Sequence, residues 1–151
     1  MAPSLELVTT LDVDLGEAIV IGENQYGLRR RIVPIVGGRF QGPRLNGRIL
    51  AHGADWNIGR KDGVDEVWAR YTLQTDDGAL IMITNPGVRR GEAGVEIAGK
   101  AGEVESWYFR TNPVFETASP EYQWVTQSIF VGDLLPKVRP DQVSIEVYEV
   151  S

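Results

Sequence analysis

The sequence predicts an all-β protein: a closed or nearly closed antiparallel β-barrel of about ten strands, lipocalin- or calycin-like in shape, with at most one short helix. Three observations carry this expectation. Runs rich in Val, Ile, Thr and aromatic residues recur along the chain, and glycine turns separate them most densely between Ile32 and Gly87. No long stretch has the 3.6-residue apolar period of a helix. Ten short strands in one 151-residue domain also create edges, which closing the sheet removes most completely. A β-sandwich is the competing arrangement.

The elements follow in chain order. Leu5 to Val13 alternates imperfectly but ends in β-branched residues, and Ala18 to Gly22 holds Ile19, Val20 and Ile21. Leu28 to Val36 and Arg44 to Leu50 come next, followed by a turn at His52 to Trp56. Val64 to Thr75 is the longest run. It pairs with Ala79 to Thr84 across Thr75-Asp76-Asp77-Gly78, because an Asp-Gly corner between β-rich runs is a strong hairpin signal. Asn85-Pro86-Gly87 reads as the closing turn, and Gly87 to Gly102 as a glycine-rich loop with a weak strand at Val95 to Ala98. Glu105 to Thr117, Gln127 to Val131 and Val143 to Val150 complete the strands. Between them, Ser119-Pro120-Glu121 offers a cap, a first-turn proline and a first-turn acid, enough for one or two helical turns through Trp124.

Composition narrows the function classes. With 42% hydrophobic and 24% charged residues, residues 1–151 suit one globular domain long enough to bury a core. Zero cysteines rule out disulfides, thiolate metal sites and cysteine nucleophiles. The single histidine, His52, cannot build a three-histidine zinc site, and no Gly-x-Ser-x-Gly elbow accompanies it. Dinucleotide and phosphate-loop signatures are missing, so we expect chemistry without a cofactor or metal. A net charge of −6 argues against nucleic-acid partners. No basic region with an apolar follow-on opens the chain, and no apolar run approaches the roughly 20 residues that cross a bilayer. We therefore expect a cytoplasmic protein with no membrane partner.

The order of motifs from Gly37-Gly-Arg-Phe-Gln-Gly-Pro43 through Gly53-Ala-Asp-Trp56, Arg70-Tyr71, Asp77-Gly78 and Asn85-Pro-Gly87 resembles a bacterial and fungal family. That family is domain of unknown function 3237, also called uncharacterised protein family 0311. Tyr108-Phe-Arg-Thr-Asn-Pro-Val-Phe-Glu-Thr117, Tyr122-Gln-Trp124, Ile129-Phe-Val-Gly132 and Val143 to Val150 fit the same pattern. The resemblance spans nearly the whole chain. It implies a small closed β-barrel and no particular activity. One departure is His52, where the family usually has a second glycine before Gly-Ala-Asp-Trp, so His52 is not carried over as a site.

Strand alternation divides the candidate residues between faces. In Val64 to Thr75 one face carries Val67, Ala69, Tyr71, Leu73 and Thr75, the other Glu66, Trp68, Arg70, Thr72 and Gln74. From Ser106 to Asn112, Tyr108 and Arg110 share one face and Trp107, Phe109 and Thr111 the other. We read the mixed polar and aromatic faces as suited to a ligand cavity. The candidate catalytic residues are Asp55, Tyr71 and Arg110, with Trp56, Trp68, Arg70, Asn85 and Tyr108 as substrate contacts.

Each has a structural alternative. A carboxylate beside an aromatic surface can have a raised pKa and move a proton, or it can bond its own turn amides. Arg110 and Arg70 either fork onto an anion or an enolate, or pair structurally, for instance with Glu116 or Asp55. Tyr71 and Tyr108 either donate a proton or simply pack their rings. Asn85 is a contact or a turn residue. Of the 15 basic residues, 12 are arginine, and Arg29-Arg30-Arg31 cannot all face one side of a strand. They form a solvated rim or a basic pocket mouth for an anion.

Two functions fit these residues. One is a cofactor-free acid/base enzyme, an isomerase, cyclase, lyase or hydratase acting on a small carbonyl, aromatic or anionic metabolite. The other is a carrier or sensor of such a metabolite. A homodimer through aromatic strands such as Ser106 to Val114 is a further expectation.

Overall fold

The computed structural model describes residues 1–91, 107–135 and 139–151. Among them, eleven strands form one sheet: β1 (Leu5–Leu15), β2 (Ile19–Glu23), β3 (Arg29–Gln41), β4 (Gly47–Ile49), β5 (Gly53–Gly59), β6 (Asp65–Thr75), β7 (Leu80–Gly91), β8 (Trp107–Thr111), β9 (Val114–Thr117), β10 (Ile129–Leu134) and β11 (Gln142–Val150). Every pairing is antiparallel. Hydrogen bonds run around a ring in the order β1, β11, β10, β8, β7, β6, β5, β3 and back to β1. The sheet therefore closes on itself as a β-barrel. An eight-stranded ring has an interior just wide enough to be filled by side chains or to hold one small ligand.

The imperfect alternation of the first strand has a local cause. Its register against β11 slips between Leu7 and Thr9, and at this bulge two successive residues, Val8 and Thr9, both turn inward. The Thr9 hydroxyl, now buried, donates to the Leu45 carbonyl at 2.9 Å. The Asp-Gly corner forms as expected, with Gly78 at φ +92° and the Thr75 and Ala79 backbones bonded at 2.9 Å. A 3-10 helix at Pro120–Thr126 is the one helical element among the described residues.

Two expected turns are strands. His52 to Trp56 is not a loop: Gly53–Gly59 is β5, zipped to β3 from Ile35↔Gly53 to Arg29↔Gly59. Only His52 itself turns, at φ 83°, the left-handed backbone that glycine adopts freely. This is the position where the resemblance noted above implies a second glycine. Asn85-Pro86-Gly87 likewise lies inside β7, whose pairing with β6 continues to Arg89↔Asp65. Gly87 serves close approach rather than turning, since a Cβ there would lie 2.4 Å from the Arg110 carbonyl of β8. The expected Glu105 to Thr117 strand divides at Asn112-Pro113 into β8 and β9, which pair with successive parts of β7. The weak strand Val95 to Ala98 lies outside the described residues.

The core sits toward one end. Phe40, Leu45, Leu73, Ile81, Ile83, Phe115, Phe130 and Val147 are buried there. Phe115 and Phe130 meet edge to face, with centroids 5.2 Å apart. The 3-10 helix closes this end with Val125 buried and Tyr122 and Trp124 packed on the cluster. The opposite end has no such plug among the described residues, and the barrel opens there into a cavity.

Candidate active site

The cavity has a volume of about 290 Å³, close to the lower end of the usual range for small-molecule sites. Aliphatic residues from five strands, among them Val13, Val33, Ile35, Val67 and Ile145, supply most of its wall. Phe109 supplies an aromatic face. Set into this wall are Asp55, Asn57, Tyr71, Asn85, Thr111, Arg31 and Arg89.

Strand parity places the carboxylate. On β5, Asp55 and Asn57 point in while Trp56 and Ile58 point out. The β5–β6 ladder pairs Asp55 with Ala69 and then resumes at Ile58 with Glu66. Within that gap the Trp68 backbone N–H donates to Asp55 Oδ1 at 2.7 Å. The Trp56 carbonyl accepts from Arg30 Nη1 at 3.0 Å. A side chain thus occupies a position in the ladder and is fixed at the cavity wall. Burial pushes the Asp55 carboxyl above the usual carboxylate range. The Trp68 N–H, a hydrogen bond from Asn57, and the charges of Arg31 and Arg89 act against that rise. Asn57 also accepts from Arg31 Nε at 3.3 Å, so the order Arg31, Asn57, Asp55 is a continuous polar line.

Tyr71 comes from the neighbouring strand β6 and is 3% exposed. Burial first, and the Asp55 charge second, push its phenol well above the ordinary tyrosine value, so it stays a proton donor at physiological pH. Its hydroxyl has no hydrogen-bond partner among the described residues. Asn85 Oδ1 from β7 and Thr111 Oγ1 from β8 share that condition. A buried polar atom without a partner costs on the order of 1–3 kcal/mol, and these three stand on the wall of one cavity, free to bond whatever enters it. Arg89 closes the mouth, donating from Nε to Asp65 Oδ2 at 3.1 Å, with its guanidinium 5.6 Å from the Phe109 ring centroid.

Of the eight residues picked from sequence, the fold brings three together: Asp55, Tyr71 and Asn85. The other five lie on the outer surface of the sheet, which corrects the reading of the mixed faces as cavity lining. Arg110 points outward and donates to Asp133 Oδ1 at 2.8 Å, not to Glu116 or Asp55. Tyr108 lies between Arg90 and Arg110, 4.4 and 5.4 Å from its ring. Trp56 and Trp68 meet edge to face outside the barrel at 5.9 Å and line an external groove. Arg70 is exposed over the outer face of β6 and β7. Aromatic and arginine side chains satisfy one another there through ring and cation–π contacts, so their mixture does not mark an interior.

The residues missed were Arg31, Asn57, Arg89 and Thr111. Each keeps step, at even spacing along its strand, with an inward residue: Asn57 with Asp55, Arg89 with Asn85, Thr111 with Phe109, and Arg31 with Val33. Among the described residues no three His, Cys, Asp or Glu side chains converge as a metal site would need.

A family described as "Protein of unknown function (DUF3237)" matches residues 3–150. The chain belongs to this family. A UPF0311 protein of Rhodopseudomonas palustris (strain TIE-1) is 39% identical over 155 residues, covering 99% of each chain. A crystal structure of a β-barrel-like protein from Acinetobacter baumannii AYE superposes with a TM-score of 0.87 at 35% identity, over 100% of this chain and 98% of that one. An enzyme from Penicillium herquei shares the fold at a TM-score of 0.73 and 19% identity, over 100% and 96% of the two chains.

Proposed function

We propose that this member of the family is an acid/base enzyme that moves a proton within a small carbonyl compound bound in the barrel. The observation that carries this reading is the pairing, on one cavity wall, of the Asp55 carboxyl, fixed by the Trp68 N–H and pushed upward in pKa by burial, with the buried Tyr71 hydroxyl, which has no partner among the described residues. As its carboxylate, Asp55 takes a proton from the carbon beside the carbonyl. The electron pair of that C–H bond moves to the carbonyl oxygen, which accepts a hydrogen bond from the Tyr71 hydroxyl. Asp55 then returns the proton to a different atom of the same molecule, which balances the reaction as an isomerisation or ring closure. Nothing is oxidised and no co-reactant enters. Asn85 and Thr111 offer further hydrogen bonds that orient the substrate. That the Penicillium herquei protein of this fold is called an enzyme supports catalysis on this fold without naming a site or a reaction.

Solvent exchange tests this directly. In D2O, the wild type should label the carbon beside the carbonyl in those members of a panel of small ketones and enones that it binds. Asp55→Asn should lose at least about a hundredfold of that rate, the usual size of a general-base contribution, while still binding the same compounds. Bound carbonyl compounds that never exchange would favour the second reading, a carrier or sensor. The largely aliphatic remainder of the wall, Val13, Val33, Ile35 and Val67, supports that alternative.

A further inference from the structure

The mouth of the cavity continues into a second hollow of about 360 Å³, and the two share Arg31, Asn57 and Arg89. Arg29 joins them on the same face of β3, since Arg29, Arg31, Val33 and Ile35 alternate inward while Arg30 turns out to the Trp56 carbonyl. Glu23 and Asp65 are the acids of this vestibule. Asp65 is engaged by Arg89. The Arg31 guanidinium forms no ion pair among the described residues, and its one hydrogen bond there is from Nε to Asn57. In a protein of net charge −6, this vestibule is lined by four arginines, Arg29, Arg30, Arg31 and Arg89, and by two acids.

We propose that Arg31 is an anion subsite, and that the substrate is a monoanion with its carboxylate at Arg31 and an apolar body of about one ring in the cavity. The inference rests on the reading of this cavity as the substrate site. Size sets the body: a dry apolar cavity of about 150 Å³ accommodates benzene, so about 290 Å³ takes one ring with a short substituent. Val33, Ile35, Val67 and Phe109 give that body apolar contact. Reach sets the linker. Successive inward positions on a strand are about 7 Å apart, so a ring beside Val33 needs a chain of two or three atoms to bring a carboxylate to Arg31. Charge sets the valence. Asp55, Asp65 and Glu23 face the same passage and would repel a second negative charge, whereas the terminal nitrogens of Arg31 match a single planar carboxylate.

A matched pair of probes tests this by calorimetric titration: 3-phenylpropionate and its neutral amide, 3-phenylpropanamide. The wild type should bind the acid at least about tenfold more tightly, the usual difference for a charge-assisted hydrogen bond, and the preference should shrink with added salt. Arg31→Met should abolish the preference by weakening the acid alone. Arg31→Lys should keep part of it, because charge survives while the fork is lost. Arg110→Met, on the outer face of β8 where the guanidinium donates to Asp133, should leave it intact. Equal affinity of the wild type for both probes, including no binding of either, overturns the subsite. So does an Arg110→Met loss as large as that of Arg31→Met, which would assign the preference to the general field. Asp55→Asn separates the two claims: it should keep the acid preference whatever happens to exchange, so an anion subsite survives even if the proton-transfer reading fails.

Discussion

Three strands run the length of the barrel and change character halfway. Along β7 the inward side chains are Ile81 and Ile83 under the 3-10 helix, then Asn85 and Arg89 toward the mouth. Along β6 they are Thr75 and Leu73, then Tyr71, Ala69 and Val67. Along β3 Phe40 lies at the plugged end, and Ile35, Val33 and Arg31 lead out to the cavity. On β6 and β7 the alternation of faces runs unbroken through both halves, whereas on β3 it slips by one residue between Ile35 and Phe40, where the register against β1 shifts. What differs is the inward set. At the closed end it fills the space and leaves little polar surface, whereas at the open end it leaves about 290 Å³ and three buried polar atoms without partners. The closed half holds the fold, and the open half keeps polar atoms at a cost in stability, available to whatever enters the cavity.

If that division holds, the largest stability loss belongs to the closed half. Leu73 is fully buried in the cluster under the helix. Leu73→Ala should destabilise the protein by about 2–5 kcal/mol, through lost transfer energy plus a cavity that the ring of strands cannot collapse. Urea titration measures it. A loss below about 1 kcal/mol would show that this half is not close-packed.

A change of opposite sign belongs to the open half. Because burial raises the folded pKa of Asp55 above its unfolded value, the folded state favours the protonated acid. The contribution of this group is fully present below the unfolded carboxylate pKa, about 3.9, and is lost as pH rises through the folded value. At neutral pH the wild type therefore carries a poorly solvated charge. Asp55→Asn removes it while its carbonyl can still accept the Trp68 N–H. The melting temperature should rise by a few degrees at pH 7, at about 2–4 °C per kcal/mol for a chain this size, with the gain shrinking toward pH 4. Melting curves of both proteins across pH 4–8 check the sign. A variant less stable than wild type at pH 7 would make Asp55 a structural residue.

The next effect is smaller. Thr111→Val replaces a buried, unpartnered hydroxyl with a methyl of similar size. Removing an unsatisfied group should leave stability unchanged or raise it by up to about 1 kcal/mol, with weaker ligand binding as the cost. A clear loss of stability in thermal melts would reveal a partner for that hydroxyl in the free protein.

How far the sequence reveals these halves depends on where it reveals phase. Val64 to Thr75 is long enough for its two faces to be separated correctly, and the Asp76-Asp77-Gly78 corner locks it to β7. Which face turns inward is set by closure of the ring, a long-range property that a single strand does not carry. The Trp68 and Arg70 face looked like cavity lining because it mixes rings with cations, yet such pairs suit an exterior equally well. The glycines of β5 and of the second half of β7, with Pro86, suggest turns. A turn has no phase, so the sequence does not set Asn57 and Arg89 in step with Asp55 and Asn85. Arg31 was visible only as one of three arginines, and the pairing of β3 with β5 decides which of them faces in.

The smallest expected effect separates the two surfaces of one strand. Arg110 on β8 neighbours Phe109 and Thr111, which line the cavity, but its own guanidinium is turned out to Asp133. That pair is largely solvated, the side chains being 46% and 35% exposed, so solvent and salt screen it. Arg110→Met should change stability by less than about 1 kcal/mol and leave solvent exchange and probe binding at wild-type levels. Thr111→Val, the very next residue, should weaken ligand binding. Because the two side chains are neighbours in sequence and differ only in the side of the sheet they face, this pair isolates orientation from local disruption. A selective loss of binding in Arg110→Met with Thr111→Val unaffected would mean that the functional surface lies outside the barrel, beside Tyr108 and Asp133.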